Sequence, residues 1–174
     1  MVKRILYGSI IALLFLVGCL NSNRSCTGVS SEIEIIQKTN NNYDLYIVGD
    51  GYFQLENDEN ALVYCKGGRV EFNGANLLCF RKGGKLLKFS PPIQAPTETK
   101  QLIFSIDGEV RAVEYSDPNY LTVIGQFQIF SIREPIFGTE GDVIIDWGAG
   151  GAPREVSRET NESVILSSWS RCVK

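Results

Sequence analysis

The stretch that decides the fold is LIFSIDGEVRAVEY, residues Leu102 to Tyr115. Apolar β-formers stand on both sides of Asp107-Gly108, with Leu102, Ile103 and Phe104 before it and Val110, Val113 and Tyr115 after it. An Asp-Gly pair between two such runs is a hairpin signal, because glycine, and less readily Asp or Asn, tolerates the positive φ of a tight reversal. The same chemistry recurs at Asp50-Gly51, after the apolar run Leu45 to Val48 and before Phe53 to Leu55. It recurs again at Asn73-Gly74, after Val70 to Phe72, so these two pairs also predict tight hairpins. Further strands are predicted over Gln126 to Ile132 and Val143 to Ile145, and Gly67, Gly68, Gly83 and Gly84 mark further bends. Beyond the N-terminus no segment sustains helical periodicity, and Ile33-Ile35-Ile36 fits either a strand or a turn of helix. The expected fold is all-β, a small partly open barrel or a sandwich built from hairpins.

The N-terminus reads differently. Lys3 and Arg4 give a short basic start, and Ile5 to Val17 run almost unbroken apolar. That length suits a signal-peptide core and falls short of the roughly 20 residues of a spanning helix. The run ends Leu16-Val17-Gly18-Cys19, where a small residue precedes a cysteine whose thiol can take a diacylglyceryl group. An ordinary cleaved signal or a short uncleaved anchor are the alternatives. The expected division is a lipoprotein signal over 1–18, a lipidated tether over 19–31 and one β domain over 32–174. Leu20 to Ser31, rich in Ser, Asn, Thr and Gly, spans at most about 40 Å fully extended. Membrane contact would run through the lipid on Cys19. Leu20, not aspartate, follows the cysteine, which favours the outer membrane, facing the periplasm, within the cell envelope.

Composition excludes several functions. The whole chain carries a net charge of −3, and removal of the basic signal leaves the remainder more acidic, which argues against nucleic acid and anionic lipid as partners. There is no histidine, so Ser-His and Cys-His pairs and most zinc sites are ruled out. Asp50, Asp107, Glu109, Glu114, Asp117, Asp142 and Asp146 show no metal-loop spacing. Gly49-Asp50-Gly51 is explained by turn chemistry. Gly148-Ala149-Gly150-Gly151 lacks the following lysine of a phosphate cradle. The Asn161-Glu162-Ser163 sequon carries no expectation. The reading is of a protein without catalysis, metal or cofactor.

Tyr43 to Phe53, YDLYIVGDGYF, resembles the "DLAI-x-GDGFF" signature of flagellar rod and hook proteins, at the entry to their β-rich D1 domain. Later motifs follow in family order. Tyr64 to Gly68 resembles a "Y-x-R-x-G" step with Lys66 in the arginine place, and Asn73 to Leu78 resembles the loop and strand before the second hairpin arm, one residue short. Pro92 to Pro96 is similar to a proline-flanked strand, and Phe104 to Val110, FSIDGEV, to the "I-x-x-DG-x-V" hairpin. Gly125 to Phe130, Pro135 to Gly141 and Gly148 to Pro153 resemble the family's "GQ" strand, following bend and "SGAP" loop. The resemblance runs from Tyr43 to about Cys172, and it gives Gly49, Asp50, Gly51, Asp107 and Gly108 the family's turn positions.

The resemblance implies a structural partner, a flagellar rod or hook protein. It also implies flanking helices that build a coiled-coil tube, for which this sequence has no counterpart, so the domain is expected to be monomeric alone. D1-type folds bring their ends together, which implies a bridge between Cys26 and Cys172 in an oxidising compartment. A two-residue Asn73-Gly74 turn would set Phe72 opposite Ala75 and Cys65 opposite Lys82, with Cys79 on the other face, so Cys65 and Cys79 are expected to be reduced. Two functions follow: an accessory component docking to the basal body or hook base, or an envelope adhesin using the same fold for another partner.

Overall fold

The computed structural model describes residues 36–138, 143–156 and 163–171. Cys19, Cys26 and Cys172, with the expected signal and tether, lie outside the described residues. Every regular element among the described residues is a strand. The first seven are β1 (Ile36–Lys38), β2 (Asp44–Gly49), β3 (Gly51–Glu56), β4 (Leu62–Cys65), β5 (Gly67–Phe72), β6 (Leu78–Lys82) and β7 (Lys85–Phe89). A three-stranded antiparallel sheet follows, made of β8 (Thr99–Phe104), β9 (Glu109–Glu114) and β10 (Leu121–Gln126). The last six are β11 (Ile129–Ser131), β12 (Pro135–Phe137), β13 (Val143–Trp147), β14 (Arg154–Glu155), β15 (Ser163–Ser167) and β16 (Trp169–Arg171).

The all-β expectation holds, and the sheets are open, so that of the expected forms the partly open barrel is not the one adopted. The largest sheet runs β12-β13-β4-β3-β7-β6-β5-β2-β15 without closing, and β1 pairs with β16 in a separate two-stranded sheet. β3 is its pivot. One edge of β3 bonds β4, while the other is shared by β11 along Gly51 to Phe53 and by β7 along Leu55 and Glu56.

Turn chemistry accounts for the hairpins that form. Gly83 and Gly84, at φ +52° and +81°, make a two-residue primed turn that sets Lys82 opposite Lys85. The expected hairpin at Asp107-Gly108 forms between β8 and β9. Only Gly108 takes positive φ there, and its N–H donates to the Ser105 carbonyl, so the loop has one extra residue. At Asn73-Gly74 the expected two-residue turn gives way to a three-residue loop, closed by the Asn73 N–H donating to the Leu77 carbonyl (3.0 Å), which sets Phe72 opposite Leu78. The Asn73 Oδ1 accepts from the N–H groups of Ala75 (2.9 Å) and Leu77 (3.0 Å), and Asn76 rather than Gly74 takes the left-handed conformation. Cys79 therefore stands opposite Glu71, while Cys65 lies between Phe53 and Val143. No disulfide joins the two buried thiols. Asn73→Ala should cost about 1–2 kcal/mol, because two loop amides lose their acceptor. Urea titration checks this, and an unchanged midpoint would show that water replaces the side chain without loss.

Three other expectations are corrected. Asp50-Gly51 does not close a hairpin: β2 pairs with β5 and β15, whereas β3 pairs with β4, β7 and β11. The glycines instead turn a corner between two parts of the sheet, with Gly49 at φ +101°. Gly67 and Gly68 are not bends but strand residues of β5. Gln126 to Ile132 is two strands, not one, because β10 ends at Gln126 and β11 begins at Ile129. Phe127, between them, turns into the core and donates its N–H to the Gly108 carbonyl (2.9 Å).

Alternation along β3, β4 and β13 sorts two clusters onto opposite faces. Phe53, Leu55, Val63, Cys65 and Val143 join the main core, to which β8 and β9 add Leu102, Val110 and Ala112. Tyr64 and Ile144 face the other way and pack with Ile132, Tyr52, Phe130 and Trp147. At the centre of the main core Phe53 makes edge-on contacts with Phe80, Phe127 and Phe89 at 5.1, 5.3 and 5.9 Å between ring centroids.

Candidate functional site

The two motif turns are far apart in sequence, and β15 draws them together. Ser163 pairs with Gly49, and a Cβ at Gly51 would stand 2.7 Å from the Ser163 Oγ and 2.4 Å from the Ile129 Cγ2. Two residues along β15, the Ile165 N–H donates to the Ile106 carbonyl in the other turn (3.1 Å), and the Ile165 side chain lies against Gly108. The Gln126 Nε2 closes the junction by donating to the Asp107 carbonyl (3.1 Å). Glycine is needed at Gly51 for space and at Gly108 for a φ of +91°. Asp107 accepts from the Ser105 hydroxyl, which is a turn-forming role. Among the described residues no group of three or more Cys, Asp or Glu could hold a metal. The junction fixes the shape of the domain and carries no chemistry.

The charged groups at the start of the domain are paired. Asp44, nearly buried, accepts from the Arg69 Nε (2.7 Å) and Nη2 (3.2 Å) directly across the β2–β5 ladder. Next along β5, Glu71 accepts from the Arg81 Nε at 2.9–3.0 Å, and the hydrogen bond from Arg81 holds the Glu71 carboxyl below the usual carboxylate range. Burial pushes the Cys79 thiol up, which keeps it protonated and poorly reactive. These groups staple the strands and leave no nucleophile or general base poised for reaction.

What the domain offers to a partner is surface. In the three-stranded sheet Ile103, Arg111 and Val123 stand in one row across the strands, and Gln101, Val113 and Leu121 in the next. Arg111 is tied to Glu109 along its own strand. Ile103, Leu121 and Val123 are exposed, and Tyr115 and Tyr120 in the β9–β10 loop are 69% and 66% exposed. Sequence reading found the hairpin but missed this face. The available signal was that Leu102, Ile103 and Phe104 are consecutive apolar residues, so a strand must show apolar side chains on both sides.

Residues 46–112 match the family model described as the flagellar hook protein FlgE/F/G D1 domain. The match runs from Tyr46 in β2 to Ala112 in β9, and so takes in the corner at Gly49 to Gly51 and the Asp107-Gly108 hairpin. It covers less than half of the chain; the further likenesses at Gly125 to Phe130 and Gly148 to Pro153 lie beyond it. Over that span this is a D1-like domain of a structural, non-enzymatic kind. No curated protein matches the chain.

Proposed function

We propose that this protein is an envelope lipoprotein, held by a diacylglyceryl group on Cys19, whose D1-like domain docks beside the flagellar rod or hook as an accessory structural component. The match of residues 46–112 to a hook D1 domain carries the reading. The exposed apolar face of the three-stranded sheet and its open edges support docking over catalysis. The domain is taken to be monomeric alone, on the periplasmic side of the outer membrane, with the lipid as its only link to the bilayer. A tether of the reading's length raises the effective concentration of the domain beside any structure crossing the same envelope, so each contact need only be weak. A Cys26–Cys172 bridge belongs to the same proposal. Support comes from the pairing of β1 with β16, which sets Ile36 opposite Arg171 and so brings the two ends of the described domain side by side.

Cys19→Ser should abolish incorporation of labelled palmitate and release of the signal, since serine lacks the thiol that takes the diacylglyceryl group. Deletion of the gene should reduce motility or the recovery of intact hook–basal bodies while rod export continues. A variant that still labels with palmitate overturns the lipid assignment. Normal motility, with a tagged copy spread evenly over the envelope, overturns the flagellar role and favours an envelope adhesin.

A further inference from the structure

Sheet edges invite pairing with other chains, and soluble proteins ordinarily blunt them with charge, proline or a covering segment. Most edges of this domain are blunted in that way. β12 opens with Pro135, β14 consists of Arg154 and Glu155, and β8 carries Lys100. β1 and β16 contain Lys38 and Arg171. β15 is uncharged, but its Ile165 is bonded to the Ile106 carbonyl of the β8–β9 hairpin. β10 differs from all of them. Among the described residues it pairs with β9 alone, and no charged side chain occurs from Pro118 to Ile132. On the outer face the edge strand itself is apolar, with Leu121 43% and Val123 55% exposed and Tyr120 at its head.

We propose that β10 is a strand-addition site, which takes an extended, uncharged segment of a partner protein as a fourth strand of this sheet. Main-chain bonds to the open edge hold such a segment whatever its sequence, and alternate side chains select it. One set of its alternate side chains lies beside Leu121 and Val123 on the outer face, so that set is apolar, and β-branched residues suit it best. A charged side chain at those positions would be set beside Leu121 and Val123, where Arg111, in the row of Val123, is already paired with Glu109, and this is how the site discriminates. The bulge between Val123 and Gly125 limits regular pairing to the first half of β10, so the segment is short, about three to four residues in register. The inference names the partner chemistry of the docking proposed above and, for the identity of that partner, rests on it.

The test is amide hydrogen exchange on the full chain, in detergent, with two probes: purified hook–basal bodies, and a blocked hexapeptide of alternating threonine and valine. Either probe should slow exchange of the outward-facing amides between Leu121 and Ile124 at least ten-fold. Leu121→Lys with Val123→Lys should weaken binding at least ten-fold, with an unchanged unfolding midpoint because both side chains are exposed. Binding of hook–basal bodies without protection of β10 leaves the docking role standing and overturns the strand-addition site. Protection by the hexapeptide without binding of hook–basal bodies supports the site and overturns the flagellar partner. Protection that rises with protein concentration in the absence of any probe makes the occupant a second copy of this chain, and overturns the proposal of a different partner. No protection under any condition overturns it outright.

Discussion

Phe53→Ala should destabilise the domain by about 3–5 kcal/mol, the range for removing a buried aromatic ring. Phe53 is fully buried and touches three other rings, which belong to β6, to β7 and to the link between β10 and β11. Its backbone sits where β3 is bonded on both sides, opposite Cys65 and Ile129. The ring therefore ties β3 to β6, with which it shares no ladder, and to the link between β10 and β11. Collapse around the cavity is restricted because Phe80 and Phe89 already pack on each other at 4.7 Å, which places the cost toward the upper end of the range. Since small domains are stable by only about 5–15 kcal/mol, the variant should be marginal at 37 °C. Equilibrium urea unfolding measures the loss, with Phe53→Leu expected to recover a large part of it. A loss below about 1.5 kcal/mol, comparable with a volume-conserving swap, would contradict this packing.

Gly67→Ala should cost about 3 kcal/mol, at the top of the range for inserting a methyl group into filled space. A Cβ at Gly67 would lie 2.2 Å from the Leu45 carbonyl oxygen and 2.9 Å from the Tyr46 Cα. Both are backbone atoms of β2, so relief requires that β2 and β5 move apart where Leu45 and Tyr46 are paired with Gly68 and Gly67. The same substitution at Gly74 meets nothing within 4 Å and needs no positive φ. Gly74→Ala should therefore be neutral, or slightly stabilising through the unfolded chain. Thermal unfolding should separate the pair by roughly 10 °C. Equal midpoints would mean that β2 and β5 are not in this close register.

The fold class was legible because strands and tight turns are local chemistry. Asp107-Gly108 and Gly83-Gly84 each lie between runs that do pair, so turn residues alone located those reversals. Asp50-Gly51 has the same composition yet joins strands that never bond, since the choice of partner is made by β15 and β11, more than 70 residues away. Pairing of that kind leaves no mark on the turn itself. Asn73 misled for another reason: its side chain serves a wider loop as readily as a tight one, and register then shifts every partner along β6. The resemblance to hook D1 domains was readable residue by residue, and the family match confirms it over residues 46–112. The apolar edge at β10 was not singled out, because its alternation looks the same whether the outward residues meet solvent or another chain.

The pairing of β1 with β16 has a mechanical consequence. Among the described residues β1 is the first element that a pull from the N-terminal side meets, and there it is laddered only to β16, by three registered pairs. Between that ribbon and β2, the Thr39 N–H donates to the Ser168 carbonyl, and the next main-chain bond to another strand is that from the Val70 N–H to the Tyr43 carbonyl. Load applied there strips rungs one after another instead of shearing a long ladder at once. With the cysteines reduced, the entry to the domain is thus a fuse that yields while the rings around Phe53 stay in place, and the proposed Cys26–Cys172 bridge would carry the load past it.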